Sequence, residues 1–246
     1  MRSKHGGPFR LICLIGIDGS GKTTHARSLV KEINESGIRC SYVWCRGAPK
    51  LFLRFFLRLA KRTLFGRERS ENGSVATYRS LKGQVFSNPV MSKIWLTMLL
   101  FDTLVQAYLG VCIPLKRGRV VVADRYIFDQ MVDIAVDFRL SRFELREWSR
   151  NPVYRLFPKP DIVFVMDIDA ASAHLRKTDI QSICDLAERR RVYFWLSTFV
   201  PMIVVDASDN YDRVHEIIRS KVLMGSSSKL ESSSQGETHT GSRVHL

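Results

Sequence analysis

Five short apolar runs punctuate the chain: RLICLIG (10–16), CSYVWC (40–45), RVVVAD (119–124), DIVFVMDI (161–168) and MIVVDA (202–207). Each is rich in β-branched or aromatic side chains and none alternates polar with apolar. That is the pattern of strands covered on both faces. Between them the periodicity is helical, over Thr23–Ser36, a long region from about Pro49 to Leu115, Asp129–Trp148 and Ile183–Phe199. Strands alternating with helices predict βαβ units, hence an α/β fold whose five-stranded parallel sheet is flanked by helices. The region between the second and third strands must contain at least two helices. No internal repeat interrupts this order.

Two segments depart from simple amphipathicity. IWLTMLLFDTLVQAYLGVCIPL (94–115) is long enough to span a bilayer, but Asp102, Thr103 and Gln106 stand near its middle. A central Asp costs about 2.5–3.5 kcal/mol on insertion, so a buried core helix is expected instead. LFLRFFLRLAKRTLFGR (51–67) sets Arg54, Arg58, Lys61 and Arg62 on one helical face. A helix packing its wide apolar side inward, with a solvated basic edge, is expected over one lying on an anionic membrane. From Gly225 the chain is Ser-rich with almost no large apolar residues, and a disordered tail is expected over 225–246. The organisation predicted is an N-terminal extension (1–9), one domain (10–224) and this tail.

With 246 residues, 45% of them hydrophobic, the chain has enough material for one α/β core and too little for two full domains. The charge is less ordinary: 38 Lys+Arg against 24 Asp+Glu give +14. Such an excess favours anionic ligands, but the basic residues recur along the whole chain, so a dedicated nucleic-acid arm is not expected. The five cysteines are odd in number and none forms a CxxC pair, which fits neither a zinc site nor a disulfide framework and suits a reducing cytoplasm. The first apolar run is shorter than the core of a secretion signal and leads straight into a glycine-rich loop.

That loop carries the strongest chemistry. IGIDGSGKTTH (15–25) satisfies G-x-x-x-x-G-K-[ST] through Gly16, Gly21, Lys22 and Thr23, between a predicted strand and a predicted helix. Glycines at 16, 19 and 21 allow successive backbone N–H groups to turn toward one anion, and the helix start adds its positive dipole end. An ATP site is expected from Gly16, Ile17, Asp18, Gly19, Ser20, Gly21, Lys22, Thr23 and Thr24, with Lys22 reaching the β- and γ-phosphates and the Thr23 hydroxyl on Mg²⁺. In VVVADRY (120–126), a strand ending in Asp124 resembles the Walker B arrangement. Asp124 would complete the magnesium shell if the first and third strands are neighbours. Arg125 adds a guanidinium suited to phosphate.

Taken together, GIDGSGKTT, VVVADRY and PKPDIVFVMDID resemble the thymidylate kinase family of nucleoside-monophosphate kinases, over roughly residues 10–207. The resemblance implies a three-layer P-loop NTPase fold, a homodimer, and ATP and Mg²⁺ as cofactors. It implies transfer of a phosphoryl group to a nucleoside monophosphate, dTMP in the first instance. Residue by residue, it puts Asp18 against the acceptor's sugar and Arg46 of VWCRGAP on the acceptor's phosphate. Asp124, Arg125 and Tyr126 would line the acceptor site. HLRKTD (174–179) falls where the family keeps its mobile lid, here about 174–185. Gly19 stands where some members carry a catalytic Arg, so the lid's Arg176, with Lys177 second, inherits that role beside Lys22 and Arg125. The run Glu188–Arg191, by its charges alone, reads as a solvated helix face.

Two departures leave the acceptor open. CRGAP lacks the family's Glu, and Leu104 and Val105 stand where the family tends to keep a base-contacting arginine. Gln106 and Asp102 are alternatives for a base edge, or equally for facing a structural partner. Another nucleoside monophosphate, or a nucleoside, therefore competes with dTMP as acceptor. A P-loop ATPase or switch docking on membrane or nucleic acid through the basic 51–69 segment is the competing class, disfavoured because it leaves the DRY motif and basic lid unexplained.

Overall fold

The computed structural model describes residues 9–45, 89–177 and 182–234. Its sheet has five parallel strands, β1 (Leu11–Ile15), β2 (Cys40–Trp44), β3 (Val120–Asp124), β4 (Ile162–Asp167) and β5 (Ile203–Asp206). All lie inside the runs predicted from hydrophobicity. They are ordered β2-β3-β1-β4-β5. Every residue of β1 and β3 is buried, as expected for the centre of a two-faced sheet, whereas the edge strands β2 and β5 are partly open. Fully burying a Leu, Ile or Phe is worth about 1.5–3 kcal/mol. The row Leu11, Ile12, Leu14, Ile15 and Phe164 is therefore a principal source of stability. The Pro-Asp pair before β4 has a structural purpose: the Asp161 carboxylate accepts from the N–H groups of Arg10 (2.7 Å) and Leu11 (3.0 Å), tying the starts of β1 and β4 together.

Helices cover both faces. The helix α1 (Lys22–Glu35) follows β1, and α2 (Pro89–Ala107) runs through a π-turn (Tyr108–Cys112) into α3 (Ile113–Lys116). Then come α4 (Ile127–Asp137), α5 (Arg142–Ser149), a 3₁₀ turn (Pro152–Leu156), α6 (Ala170–Arg176), α7 (Ile183–Ser197) and α8 (Tyr211–Ser234). The single helix expected over 129–148 is in fact two. Arg139 takes a left-handed conformation (φ 52°), and Ser141 restarts the helix through a reciprocal capping box with Glu144. The last helix continues past Gly225 to Ser234, so helical backbone enters the stretch expected to be disordered. Once a helix is nucleated, each further residue adds a hydrogen bond with no new nucleation cost.

The apolar helix of residues 94–115 also differs from expectation. It is long and apolar enough to cross a membrane, yet only 22% of its most apolar stretch is buried, so it is not a core helix. Its inward side carries Ser92, Asp102, Thr103, Ala107 and Val111. Val90, Ile94, Phe101, Tyr108 and Leu109 face outward. The polar pair explains the inversion: Gln106 donates to Asp102 (3.2 Å) on the domain side, which leaves the apolar side for solvent or another body. Gly110 allows the π-turn to approach β2 closely, since a Cβ there would lie 2.7 Å from Val43 Cγ1. The basic 51–69 segment and Arg46 lie outside the described residues.

Candidate active site

With β1 between β3 and β4, successive connections leave on opposite sides of the first strand. The crevice this creates opens at the carboxyl ends of the strands, where ligands of open α/β sheets collect. The register aligns Leu14 with Asp124 and Ile15 with Val165, so the loop after β1, the DRY segment and the end of β4 meet there.

The loop itself depends on three glycines in conformations that L side chains rarely adopt: Gly16 (φ 140°), Gly19 (φ 85°) and Gly21 (φ 83°). Space excludes side chains as firmly as dihedral preference does. A Cβ on Gly16 would lie 2.6 Å from the Met166 carbonyl, and one on Gly19 would lie 2.3 Å from that of Ala173 in α6. An arginine at position 19 has no room in this architecture.

Lys22 opens α1 and folds back over the loop. Its ammonium donates to the Ile17 carbonyl (2.5 Å) and to Ser20 Oγ (3.2 Å). Burial, and then the nearby Arg125 guanidinium, lower its pKa from 10.5 to about 7, against the opposing pull of Asp129, Asp18 and Asp124. An amine held this far below its usual range is partly neutral near pH 7 and regains its proton when an anion enters the loop.

Asp124 is fully buried at the end of β3. One of its oxygens, Oδ2, accepts from Thr23 Oγ1 (2.5 Å) and from the Tyr42 hydroxyl (2.7 Å). The other, Oδ1, is buried with no hydrogen-bond partner. A carboxylate oxygen in that state costs on the order of 1–3 kcal/mol unless a cation or donor completes it, so the pair Thr23–Asp124 fits Mg²⁺ by chemistry and by deficit. Among the described residues no group of three or more His, Cys, Asp or Glu is arranged to hold a metal.

Arg125 adopts φ 70° and reaches Asp18 of the loop on one side and Asp129 of α4 (2.9 Å) on the other. Asp129 also accepts from the Tyr193 hydroxyl (2.7 Å) and from the Tyr126 N–H (3.1 Å). Burial raises the Asp129 pKa, with Arg125 as the chief opposing influence. Arg125 thus combines a left-handed backbone with near-complete burial. Asp18 therefore links the P-loop to the DRY segment through an ion pair.

Tyr126, expected at the acceptor site, lies in the core. It is 1% exposed, its hydroxyl donates to the Pro158 carbonyl (2.9 Å), and its ring meets Phe157 edge-on. Arg176, at the end of α6, donates to the Ala207 carbonyl (3.1 Å) beyond β5, with Lys177 next to it; residues 178–181 of the expected lid lie outside the described residues. The run Glu188–Arg191 is not a uniformly solvated face. Arg189 is drawn in by Asp133, and Arg190 makes two bonds to Asp167 (2.6 and 2.8 Å) beside Gly16 and Ile17, while Arg191 stays exposed. Leu104 and Val105 are half-buried along α2.

Sequence reasoning missed Tyr42, Asp129, Gln130, Arg190 and Tyr193. Gln130 is 3% exposed, and both atoms of its amide are buried without a hydrogen-bond partner. The sole signal in the sequence was position: Asp129 and Gln130 lie one turn beyond Arg125.

No protein-family model matches the chain. Three curated relatives do. A protein of Saccharolobus solfataricus named probable thymidylate kinase 1 is 27% identical over 84% of this chain and 93% of the relative. Proteins named probable thymidylate kinase from Staphylothermus marinus (23%) and Pyrococcus abyssi (24%) align over 86% and 84% of this chain and over 94% and 92% of their own lengths.

Proposed function

We propose that this chain, thymidylate kinase-like in sequence and in its parallel sheet, transfers the terminal phosphoryl group of ATP to a nucleoside monophosphate, with dTMP the leading acceptor. The observation that carries the proposal is the convergence of Lys22, Thr23 and Asp18 from one loop with Asp124 and Arg125 from the strand beside it. A phosphate-binding loop needs only the first two. Coupling it through Asp18 to a buried arginine makes sense when a second anionic group must be held opposite the first.

In this reading the loop amides and Lys22 hold the donor's phosphates. Thr23 and Asp124 hold Mg²⁺, which neutralises the charge on the phosphate oxygens when bound. Arg125 turns from Asp18 toward the acceptor's phosphate, with Arg46 assigned beside it from sequence position alone. Arg176 and Lys177 close over the transferring group and exclude water, while Arg190, held at the loop by Asp167, is an added candidate for that charge. The chemistry is mostly positioning and charge neutralisation, which is what a rigid, pre-paired cluster supplies. Gln130 offers an unpaired donor and acceptor for a base edge. The five free thiols favour action in a reducing cytoplasm. The outward stripe of Val90, Ile94, Phe101 and Tyr108 favours a homodimer.

The test is an ATP-dependent phosphotransfer panel over deoxythymidine, deoxyuridine, cytidine, uridine and adenosine monophosphates, with thymidine as a phosphate-free control. Acceptor-dependent ADP formation with a monophosphate supports the proposal. Transfer to thymidine alone reassigns Arg46, and acceptor-independent ADP formation replaces the kinase with an ATPase. Arg176→Ala should lower turnover far more than ATP affinity; unchanged turnover removes the lid from the mechanism.

A further inference from the structure

We infer that Tyr42 is a positioning residue for the metal–phosphate site: from β2 its hydroxyl fixes Asp124 so that Oδ2 is occupied and Oδ1 is presented to the cation. This rests on the kinase reading above.

Three observations meet at one carboxylate. Tyr42 (2.7 Å) and Thr23 (2.5 Å) both donate to Oδ2, which saturates that oxygen. Oδ1 receives no hydrogen bond from the protein, and Asp124 is 0% exposed. A carboxylate free to rotate would share donors between its oxygens; two donors on one side lock the torsion and leave one ligand atom. The Thr23 hydroxyl, donating its hydrogen to Asp124, keeps its oxygen lone pairs free for a cation. The two hydroxyls thus shape two oxygen ligands while spending no positive charge, which is what outer partners of metal ligands do.

The source of the tyrosine is also informative. In the β2–β3 register Trp44 pairs with Asp124 and Tyr42 with Val122, so the Tyr42 side chain reaches forward along the strand to the carboxylate. Its ring is held in that pose by the Arg27 guanidinium of α1, 5.5 Å from the ring centre. Arg27 and Thr23 lie one turn apart on the same helix, so α1 supports both donors. Neither a bare strand contact nor packing alone requires a hydroxyl at this point, since the ring is only half-buried.

The experiment compares the wild-type chain with Tyr42→Phe, which keeps the ring beside Arg27 and removes the hydroxyl, both the donor to Asp124 and an acceptor for Arg27. Mn²⁺ binding in the presence of a non-hydrolysable ATP analogue is followed by electron paramagnetic resonance. Analogue affinity without metal is measured by calorimetry, and the fold is checked by thermal melting. The expected result is a metal affinity weaker by about tenfold, with metal-free analogue affinity changed by less than about twofold. Tyr42→Phe binding Mn²⁺ as tightly as wild type overturns the inference. So does an equal loss with and without metal, which would mark Tyr42 as structural. Wild-type chain that binds the metal–analogue pair tightly, loses that binding in Tyr42→Phe, and yet phosphorylates no acceptor would sink the kinase reading and uphold Tyr42. Absence of metal-dependent binding in wild type would overturn both.

Discussion

Nucleotide binding to this chain should take up a proton, and the reason is Lys22. The folded protein holds its amine at about pH 7 rather than 10.5, chiefly through burial and then through repulsion from Arg125. A drop of that size corresponds to roughly 3–6 kcal/mol against the charged form. A triphosphate in the loop reverses the balance by placing several negative charges against the ammonium, and the amine recovers its proton. At pH 8 most unliganded molecules carry neutral Lys22, so binding should draw up to about one proton per site, and less at pH 7. Calorimetric titration with Mg²⁺ and a non-hydrolysable ATP analogue, in three buffers of different ionisation enthalpy, reads this number as the slope of observed against buffer enthalpy. Lys22→Met should bind more weakly and bring the slope close to zero. A wild-type slope near zero at pH 8, or an unchanged slope in Lys22→Met, would refute the claim that Lys22 is held neutral and is recharged by the incoming phosphates.

Three further outcomes follow from single sites. His25 is buried against His215 and Tyr211, and burial with the neighbouring His215 lowers its pKa from 6.5 to about 4. The unfolded chain gains a proton below pH 6.5 that the folded chain refuses until pH 4. Stability should therefore fall across that window, by about 3 kcal/mol in all, and His25→Phe should flatten that limb of a urea-midpoint profile. Gly19→Ala, with its Cβ 2.3 Å from a backbone carbonyl at φ 85°, should cost about 2–4 kcal/mol in chemical denaturation and abolish ATP binding; wild-type affinity would contradict the loop geometry. Gln130→Met should stabilise the unliganded chain by about 1–3 kcal/mol, because the buried amide is unpaired, while raising the acceptor's KM; a lower melting temperature would contradict its orphaned state.

What the sequence revealed was whatever is local. The strands were legible because runs such as VVVAD are apolar without alternation, and the loop because its glycines, Lys22 and Thr23 are contiguous. The break at Arg139–Ser141 was written in the capping residues Ser141 and Glu144, but the apolar periodicity across it concealed the stop. α8 was overlooked because its buried apolar stripe is one residue per turn, Val214, Ile218 and Val222, too narrow to stand out beside the polar His215. Of the site's pairings, Thr23 with Asp124 was legible only on the condition that β3 lies beside β1, as the sheet has it; Asp18 with Arg125 was not legible. Tyr42 reaches Asp124 only because β2 flanks β3. The outward apolar side of α2 was misjudged for the same reason: hydropathy counts residues, and only packing decides that Asp102 and Gln106 face inward.

The central claim is transfer between nucleotides, and ³¹P NMR of the chain with ATP, Mg²⁺ and dTMP tests it directly. The account predicts a new diphosphate β-resonance from dTDP, growing in step with ADP and without inorganic phosphate. ADP accompanied by an equal amount of inorganic phosphate, with dTMP untouched and no transfer to the other monophosphates, would contradict it.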